Sequence, residues 1–194
     1  MLPAIDGLRY VPDYLDPATH DSLLASADVH PWHTAADRGV QVYGYRYHHP
    51  TRSVFHIGEL PPWANDLAVR LCRDGLLPYV ADQLVVNSYQ PGSGIFAHVD
   101  QDVFGDHVAS VSLGSSCVMQ FDRRDTGPIE EVLLEPRSVL VLAGEARRAW
   151  RHGIPARAVD IWRNQERPRG RRVSLTFRII SPDATREQSP AYSR

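Results

Sequence analysis

The sequence predicts a mainly β protein with helices near its N-terminus, its strands forming an antiparallel sandwich or barrel. Three observations carry this. From Gln83 onward, short runs rich in β-branched and apolar residues ("QLVVNSY", "ASVSLG", "CVMQFD", "EEVLLE", "SVLVLAG", "RVSLTFRII") are separated by Gly, Pro and Asp. Upstream, two stretches have helical spacing instead, so helices come first and strands follow. Finally, 194 residues with 43% hydrophobic content suit one domain with a sizeable core.

Taken in order, "DPATHDSLLASADVH" at 16–30 offers Asp16 as N-cap, Pro17 at the first helical position, and Leu23, Leu24 and Ala27 on one side. "VQVYGYRYHH" predicts a strand or hairpin. "PWANDLAVRLCRDGLL" from Pro62 predicts a second helix, with Leu67, Leu71 and Leu76 along one side and Gly75 near its end. The β-runs then complete a single domain over 1–180, with a helix-containing region at about 1–80 and a β-core at about 81–180. The remainder, 181–194 ("SPDATREQSPAYSR"), reads as a polar tail.

Composition excludes several classes. No run approaches the roughly 18 apolar residues of a membrane span, and "LPAIDGLRY" after Met1 lacks a basic and apolar leader, so a soluble, cytoplasmic protein is expected. Cys72 and Cys117 have neither disulfide-framework nor zinc-site spacing and are expected in the core. There is no lysine. Residues 1–122 hold 6 Arg against 14 acids, net −8, whereas 123–178 hold 13 Arg against 7 acids, net +6. The Arg-rich half is either a set of phosphate-binding forks or a solvated face.

The chemistry centres on "NSYQPGSGIFAHVDQD" at 87–102. In a strand, His98 and Asp100 project to the same side, with Val99 opposite. Such a pair suits either a metal or two hydrogen-bonded side chains. A third donor, His152 of "AWRHGIP", follows the apolar strand "SVLVLAG". Two imidazoles and one carboxylate form the facial triad of non-haem Fe(II) oxygenases, because three protein ligands leave open positions for co-substrate and dioxygen. In "RRVSLTFR", Arg172, Ser174, Thr176 and Arg178 share one face, and a buried arginine needs an anion. A dicarboxylate co-substrate supplies one; pairing with surface acids is the alternative.

Together, "NSYQPGSGIFAHVDQD", "SVSLGSSCVMQF", "PRSVLVLAGEARRAWRHGI" and "RRVSLTFR" resemble the AlkB family of Fe(II)- and 2-oxoglutarate-dependent dioxygenases, over roughly residues 40–180. "GSGIFAHVD", "GEARRAWRHGI" and "VYGYRYHH" are most similar to the AlkB domain of the tRNA wobble-uridine hydroxylase branch. The resemblance implies a double-stranded β-helix, or jelly-roll, core and the cofactors Fe(II), 2-oxoglutarate and O2. It implies catalytic iron ligation by His98, Asp100 and His152. The 2-oxoglutarate set is Asn87, Tyr89, Arg172 and Arg178, with Ser174 on the same face. In it Arg172 and Tyr89 take the distal carboxylate, and Arg178 and Asn87 the iron-proximal end. Asp102 aligns with an acidic residue that contacts the target base. Tyr45, in the nucleotide-recognition lid, and Tyr47 are expected to stack on it, and Arg147, Arg148 and Arg151 to hold phosphates. Arg38 falls where a base-stacking tryptophan is expected, with Tyr43 or Trp32 as substitutes.

The implied reaction is oxidative demethylation of alkylated bases in single-stranded DNA or RNA, tRNA included, by a monomer with no membrane partner. It releases formaldehyde, succinate and CO2. Alternatives are hydroxylation of tRNA, of a protein or of a small molecule, and last a non-catalytic jelly-roll binding module.

Overall fold

The computed structural model describes residues 2–123 and 127–181. In chain order the elements are β1 (Leu8–Val11), α1 (Pro17–Val29), β2 (His33–Ala35), β3 (Arg38–Tyr43), β4 (Tyr45–His48), β5 (Ser53–His56), α2 (Pro62–Arg73), β6 (Gln83–Tyr89), β7 (Ile95–His98), β8 (Phe104–Gly114), β9 (Cys117–Asp122), β10 (Glu130–Leu134), β11 (Val139–Leu142), α3 (Gly144–Arg148), β12 (Arg151–Ile154), β13 (Val159–Trp162), β14 (Gln165–Pro168) and β15 (Arg172–Ile180). A 7-stranded sheet, ordered β1-β11-β8-β15-β6-β3-β2, faces a 4-stranded sheet, ordered β10-β9-β12-β7, and two hairpins, β4-β5 and β13-β14, stand apart. Every pairing is antiparallel.

Strand alternation sorts the large sheet into two surfaces. Val173, Leu175 and Phe177 of β15, with Leu84 and Val86 of β6 and Ala109, Val111 and Leu113 of β8, pack against the helices in one core cluster. Each such fully buried Leu or Phe contributes about 1.5–3 kcal/mol. The opposite surface of β15 faces the small sheet and bears the polar series that holds the site. Between the sheets lies a second cluster that includes Met119, Phe121, Leu134, Leu140 and Ile154.

Both predicted helices form, α2 ending at Arg73 before the predicted Gly75 and Leu76, whereas the sequence does not predict the short α3. Asp16 caps α1 by accepting from the Thr19 amide at 2.9 Å, and the helix buries Leu23 and Ala27. α2 buries Ala64, Leu67, Ala68 and Leu71 against the same sheet. Cys117 is buried, but Cys72 is half-exposed, since the step from Leu71 turns it off the buried side of α2.

The predicted succession of helices and then strands needs correction. β1 and β3 lie in the large sheet, β1 on β11 and β3 on β6, so the division at about residue 80 runs through one continuous sheet. These are non-local pairings that local periodicity does not encode. The predicted polar tail from residue 182 lies outside the described residues. Among the described residues, no helix is long and apolar enough to cross a membrane.

Candidate active site

β7 and β12 are neighbours in the small sheet, with His98 directly opposite His152. Their rings lie 4.5 Å apart between centroids. Gly153 makes this approach possible: a Cβ there would meet the Ala97 amide nitrogen at 2.8 Å and the Ile95 carbonyl at 2.9 Å. Any side chain at 153 would separate the two strands that carry the imidazoles. His98 Nδ1 lies 2.8 Å from the Phe96 carbonyl, which only accepts, so Nδ1 carries the proton and Nε2 keeps its lone pair for a ligand.

Asp100 lies just beyond β7 and is 6% exposed. Its Oδ1 accepts from Arg178 Nη2 at 2.5 Å, and its Oδ2 is 3.8 Å from His152 Nε2. One donor atom from each of His98, Asp100 and His152 lies within 4.8 Å of the others. The loop after Asp100 is held from behind by Arg147 of α3. That buried guanidinium donates to the carbonyls of Asp100 at 2.9 Å, Gln101 at 2.8 Å and Phe104 at 3.1 Å. The short sequence signal of "GEARR" gave no hint of this inward-turned arginine.

A cavity of about 60 Å³ extends from the triad between the sheets, lined by Asn87, Tyr89, Arg172, Ser174, Thr176 and Arg178 among others. Register explains the grouping: Arg172 pairs with Tyr89 and Ser174 with Asn87 across β15 and β6. Arg178 stands at the Asp100 end. Further along β15, Arg172 is 2% exposed, donates to Ser112 at 2.9 Å and lies 5.6 Å over the Tyr89 ring. Among the described residues no carboxylate pairs with Arg172, and its Nε is buried without a partner. Asn87 Oδ1 accepts from Arg38 Nε at 3.1 Å.

Residues 25–178 match the 2OG-Fe(II) oxygenase superfamily. This chain belongs to that family. It is 36% identical to the "Alkylated DNA repair protein ALKBH8 homolog" of Arabidopsis thaliana, over 91% of this chain and 59% of the plant protein. It is 35% identical to the mouse (Mus musculus) "tRNA (carboxymethyluridine(34)-5-O)-methyltransferase ALKBH8", over 74% of this chain and 24% of that protein. The chain thus spans about 59% of the plant relative's length and 24% of the mouse relative's. In fold it is similar to the solved structure titled "The structure of OsALKBH1", with TM-score 0.68, 19% identity, and coverage of 92% of this chain and 100% of that one. Membership in this oxygenase superfamily makes the chain a dioxygenase that uses Fe(II), 2-oxoglutarate and O2, and the facing sheets are its jelly-roll core.

The residues fit those cofactors. Asp100 Oδ2 is buried with no hydrogen-bond partner, an arrangement that costs free energy unless a cation satisfies it. This Oδ2 and His152 Nε2 stand 3.8 Å apart, so the two could serve one cation together. The unpaired Arg172 suits the free carboxylate of a dicarboxylate.

Electrostatics prepare the donors. Burial alone would push the Asp100 carboxyl up, yet Arg178, His152, Arg147 and His98 together hold it far below its usual range. Burial pushes His152 down to about 4, against the pull of Asp100. Both donors are therefore in their metal-binding protonation states at neutral pH. Between pH 6.5 and about 4 the unfolded chain binds a proton at His152 that the native chain refuses. Metal-free stability accordingly falls as pH drops through that window, by about 3 kcal/mol at full extent. Asp100 adds loss in the same direction at lower pH. Urea midpoints of the metal-free protein at pH 7 and 4.5 check this, and His152→Asn should flatten the slope; a level midpoint in the parent chain would contradict it.

Outside the triad, a mouth of about 430 Å³ is bordered by Arg38, Arg46, Tyr47, His49, Phe96 and Phe104. Tyr47 reaches it and donates to Gln101 at 3.2 Å. Tyr45 does not: its ring packs on His56 at 5.1 Å, beside a different groove. Asp102 is exposed, lends Oδ1 to Arg148 at 2.8 Å, and lines neither the cavity nor the mouth. Nor do the three phosphate-binding arginines read from the sequence stand free. Arg147 is buried on carbonyls, Arg148 pairs with Asp102 and Asp106, and Arg151 pairs with Asp122. Elsewhere in the Arg-rich half, Arg169 and Arg157 converge on buried Asp160, and Arg171 on Asp28. Excess charge in the sequence is spent on internal pairs that residue counting does not register. Of the aromatics considered beside Arg38, Trp32 lies under the Arg171 guanidinium and Tyr43 packs on Trp63, both away from the mouth. Arg38 itself lines it.

Proposed function

We propose that this dioxygenase oxidatively demethylates alkylated bases in single-stranded DNA or RNA, acting as a cytoplasmic monomer. The observation that carries the reading is the mouth above the triad, where Arg38, Arg46 and His49 bring positive or proton-accepting groups and Tyr47 and Phe96 bring aromatic faces. Cations that meet phosphates and rings that meet bases are what a single strand requires. The plant relative, named for alkylated-DNA repair, supports it.

His98, Asp100 and His152 would hold Fe(II), and Asn87 and Arg178 would bind the end of 2-oxoglutarate nearest to it. Arg172, with Tyr89 and Ser174, takes the distal carboxylate and fixes the co-substrate's orientation. When bound, Fe(II) with 2-oxoglutarate and O2 supplies the oxidant that hydroxylates a C–H bond as 2-oxoglutarate becomes succinate and CO2. Arg178 keeps Asp100 ionised and aimed, and the Phe96 carbonyl keeps the His98 ring from turning. A methyl group on a base's pairing edge reaches this point only in a single strand or after flipping, which is least costly where the methyl already prevents pairing. Hydroxylation of an N-methyl group gives an N-hydroxymethyl that collapses to formaldehyde and the free base.

A panel of methylated single- and double-stranded oligonucleotides and tRNA, scored by mass spectrometry, tests the reading. Demethylated base with formaldehyde, dependent on Fe(II) and 2-oxoglutarate, is expected. The mouse relative favours a second reading, hydroxylation of tRNA, which leaves a hydroxylated nucleoside and no formaldehyde. Turnover of 2-oxoglutarate with every nucleic acid unchanged would overturn both.

Arg172→Ala is expected to raise the 2-oxoglutarate KM about 10- to 100-fold, the worth of a charge-assisted hydrogen bond, with a smaller effect on kcat at saturation. Steady-state succinate formation checks this, and an unchanged KM would remove Arg172 from the co-substrate pocket.

A further inference from the structure

Phe96 is 93% exposed, although it lies within β7 and its own carbonyl anchors His98. A single exposed phenylalanine is ordinary on a protein surface. Its position is not, because two cavities meet at this ring. On one side is the mouth above the triad, and on the other a groove of about 380 Å³ whose walls include Ile95, Ala97, Ile154, Pro155 and Ala156. Arg38, Ile95 and Phe96 line both.

The groove is closed at its base by backbone against backbone. A Cβ at Gly94 would meet the Ile154 carbonyl at 2.3 Å, so the strands there touch without intervening side chains. Its two carboxylates are already engaged: Asp37 accepts from the Gly94 amide at 3.0 Å, and Asp122 from Arg151 Nε at 2.7 Å. Arg38 stands at the seam. Its Nε is on Asn87, and among the described residues no carboxylate pairs with it. An apolar slot, an aromatic blade and an uncompensated cation therefore adjoin the reaction mouth.

We propose that this groove receives the nucleobase adjacent to the one being oxidised, with Phe96 inserted between the two and Arg38 on the phosphate that joins them. This rests on the reading that the substrate is a single-stranded nucleic acid. A base drawn into the mouth loses its stacking neighbour, and the Phe96 ring replaces that lost face while the apolar walls cover the neighbour's other face. The arrangement tolerates any neighbouring sequence, because every base has a face to stack.

The test uses full-length protein with Fe(II) and 2-oxoglutarate under anaerobic conditions. Short single strands carry 1-methyladenine with 2-aminopurine as the immediate 5′ or 3′ neighbour, and methylated mononucleotide is the companion ligand. Binding should quench 2-aminopurine in one of the two neighbouring positions. Phe96→Ala should abolish that quench and lower the ratio of oligonucleotide to mononucleotide affinity about ten-fold, and Phe96→Trp should restore both. If the strand binds but neither quench nor affinity ratio responds to Phe96→Ala, the inference is overturned and the nucleic-acid reading stands. If the parent protein binds no strand at all and instead turns over a peptide or small molecule, the nucleic-acid reading fails and takes the inference with it.

Discussion

Asp100→Ala removes turnover, with a loss well beyond the roughly 100-fold that follows when only an outer-shell partner of a metal ligand is lost. The carboxylate has two tasks. Its Oδ2 would serve the metal, and its Oδ1 neutralises Arg178 at 2.5 Å. A ligand at an open site is often replaceable without harm to the fold. At 6% exposure and in a buried ion pair, Asp100 is not. Removing one partner of such a pair leaves an uncompensated charge and costs about 3–5 kcal/mol. Two further variants separate chemistry from stability. Asp100→Asn preserves shape while losing charge, and His98→Ala deletes a more accessible ligand that makes no ion pair. All three should abolish iron-dependent succinate formation, whereas only the aspartate variants should lower the melting temperature appreciably. Wild-type turnover by a folded His98→Ala or Asp100→Asn protein at saturating Fe(II) would refute the ligand assignment.

Arg147→Ala carries the second large effect, at a residue that touches neither metal nor substrate. Its guanidinium, 1% exposed, binds the carbonyls of Asp100, Gln101 and Phe104 and so fixes the path of the loop from the metal ligand into β8. Truncation takes this donor from three carbonyls, of which that of Gln101 still accepts from the Phe104 amide at 3.1 Å, and removes a cation that helps to keep Asp100 ionised. The expected loss is about 3–5 kcal/mol of stability, with metal affinity weakened because the ligand loop is no longer pinned. Arg147→Lys should recover only part, since an ammonium cannot span three acceptors as a planar fork does. Urea denaturation and metal titration check this together, and a variant with unchanged midpoint and unchanged affinity would show that the loop holds its shape unaided.

Much of this was legible in the sequence because period-two alternation survives in the longer strands. In β15 the apolar set Val173, Leu175 and Phe177 and the polar set Arg172, Ser174, Thr176 and Arg178 fall on opposite surfaces, as the text of that strand implies. β6 does the same for Asn87 and Tyr89. What escaped detection is short or non-local. β12 is four residues containing a glycine, and what identifies it is pairing with β7 and β9 rather than any periodicity. The β13-β14 hairpin turns through Arg163 and Asn164, both at positive φ, with no Gly to mark the turn. Charge was the least transparent feature, since Arg147, Arg148, Arg151 and Arg169 look alike on paper and differ entirely in what they bind.

His98, Asp100 and His152 would together hold one ferrous ion with room beside it for the co-substrate. Anaerobic titration followed by visible absorption tests this most directly, because Fe(II) chelated by a 2-oxo acid absorbs where neither component does alone. The predicted result is an absorption that needs both Fe(II) and 2-oxoglutarate, saturates at one iron per chain, and is missing from His152→Ala. No such absorption in the parent protein, or the same absorption in His152→Ala, would contradict it.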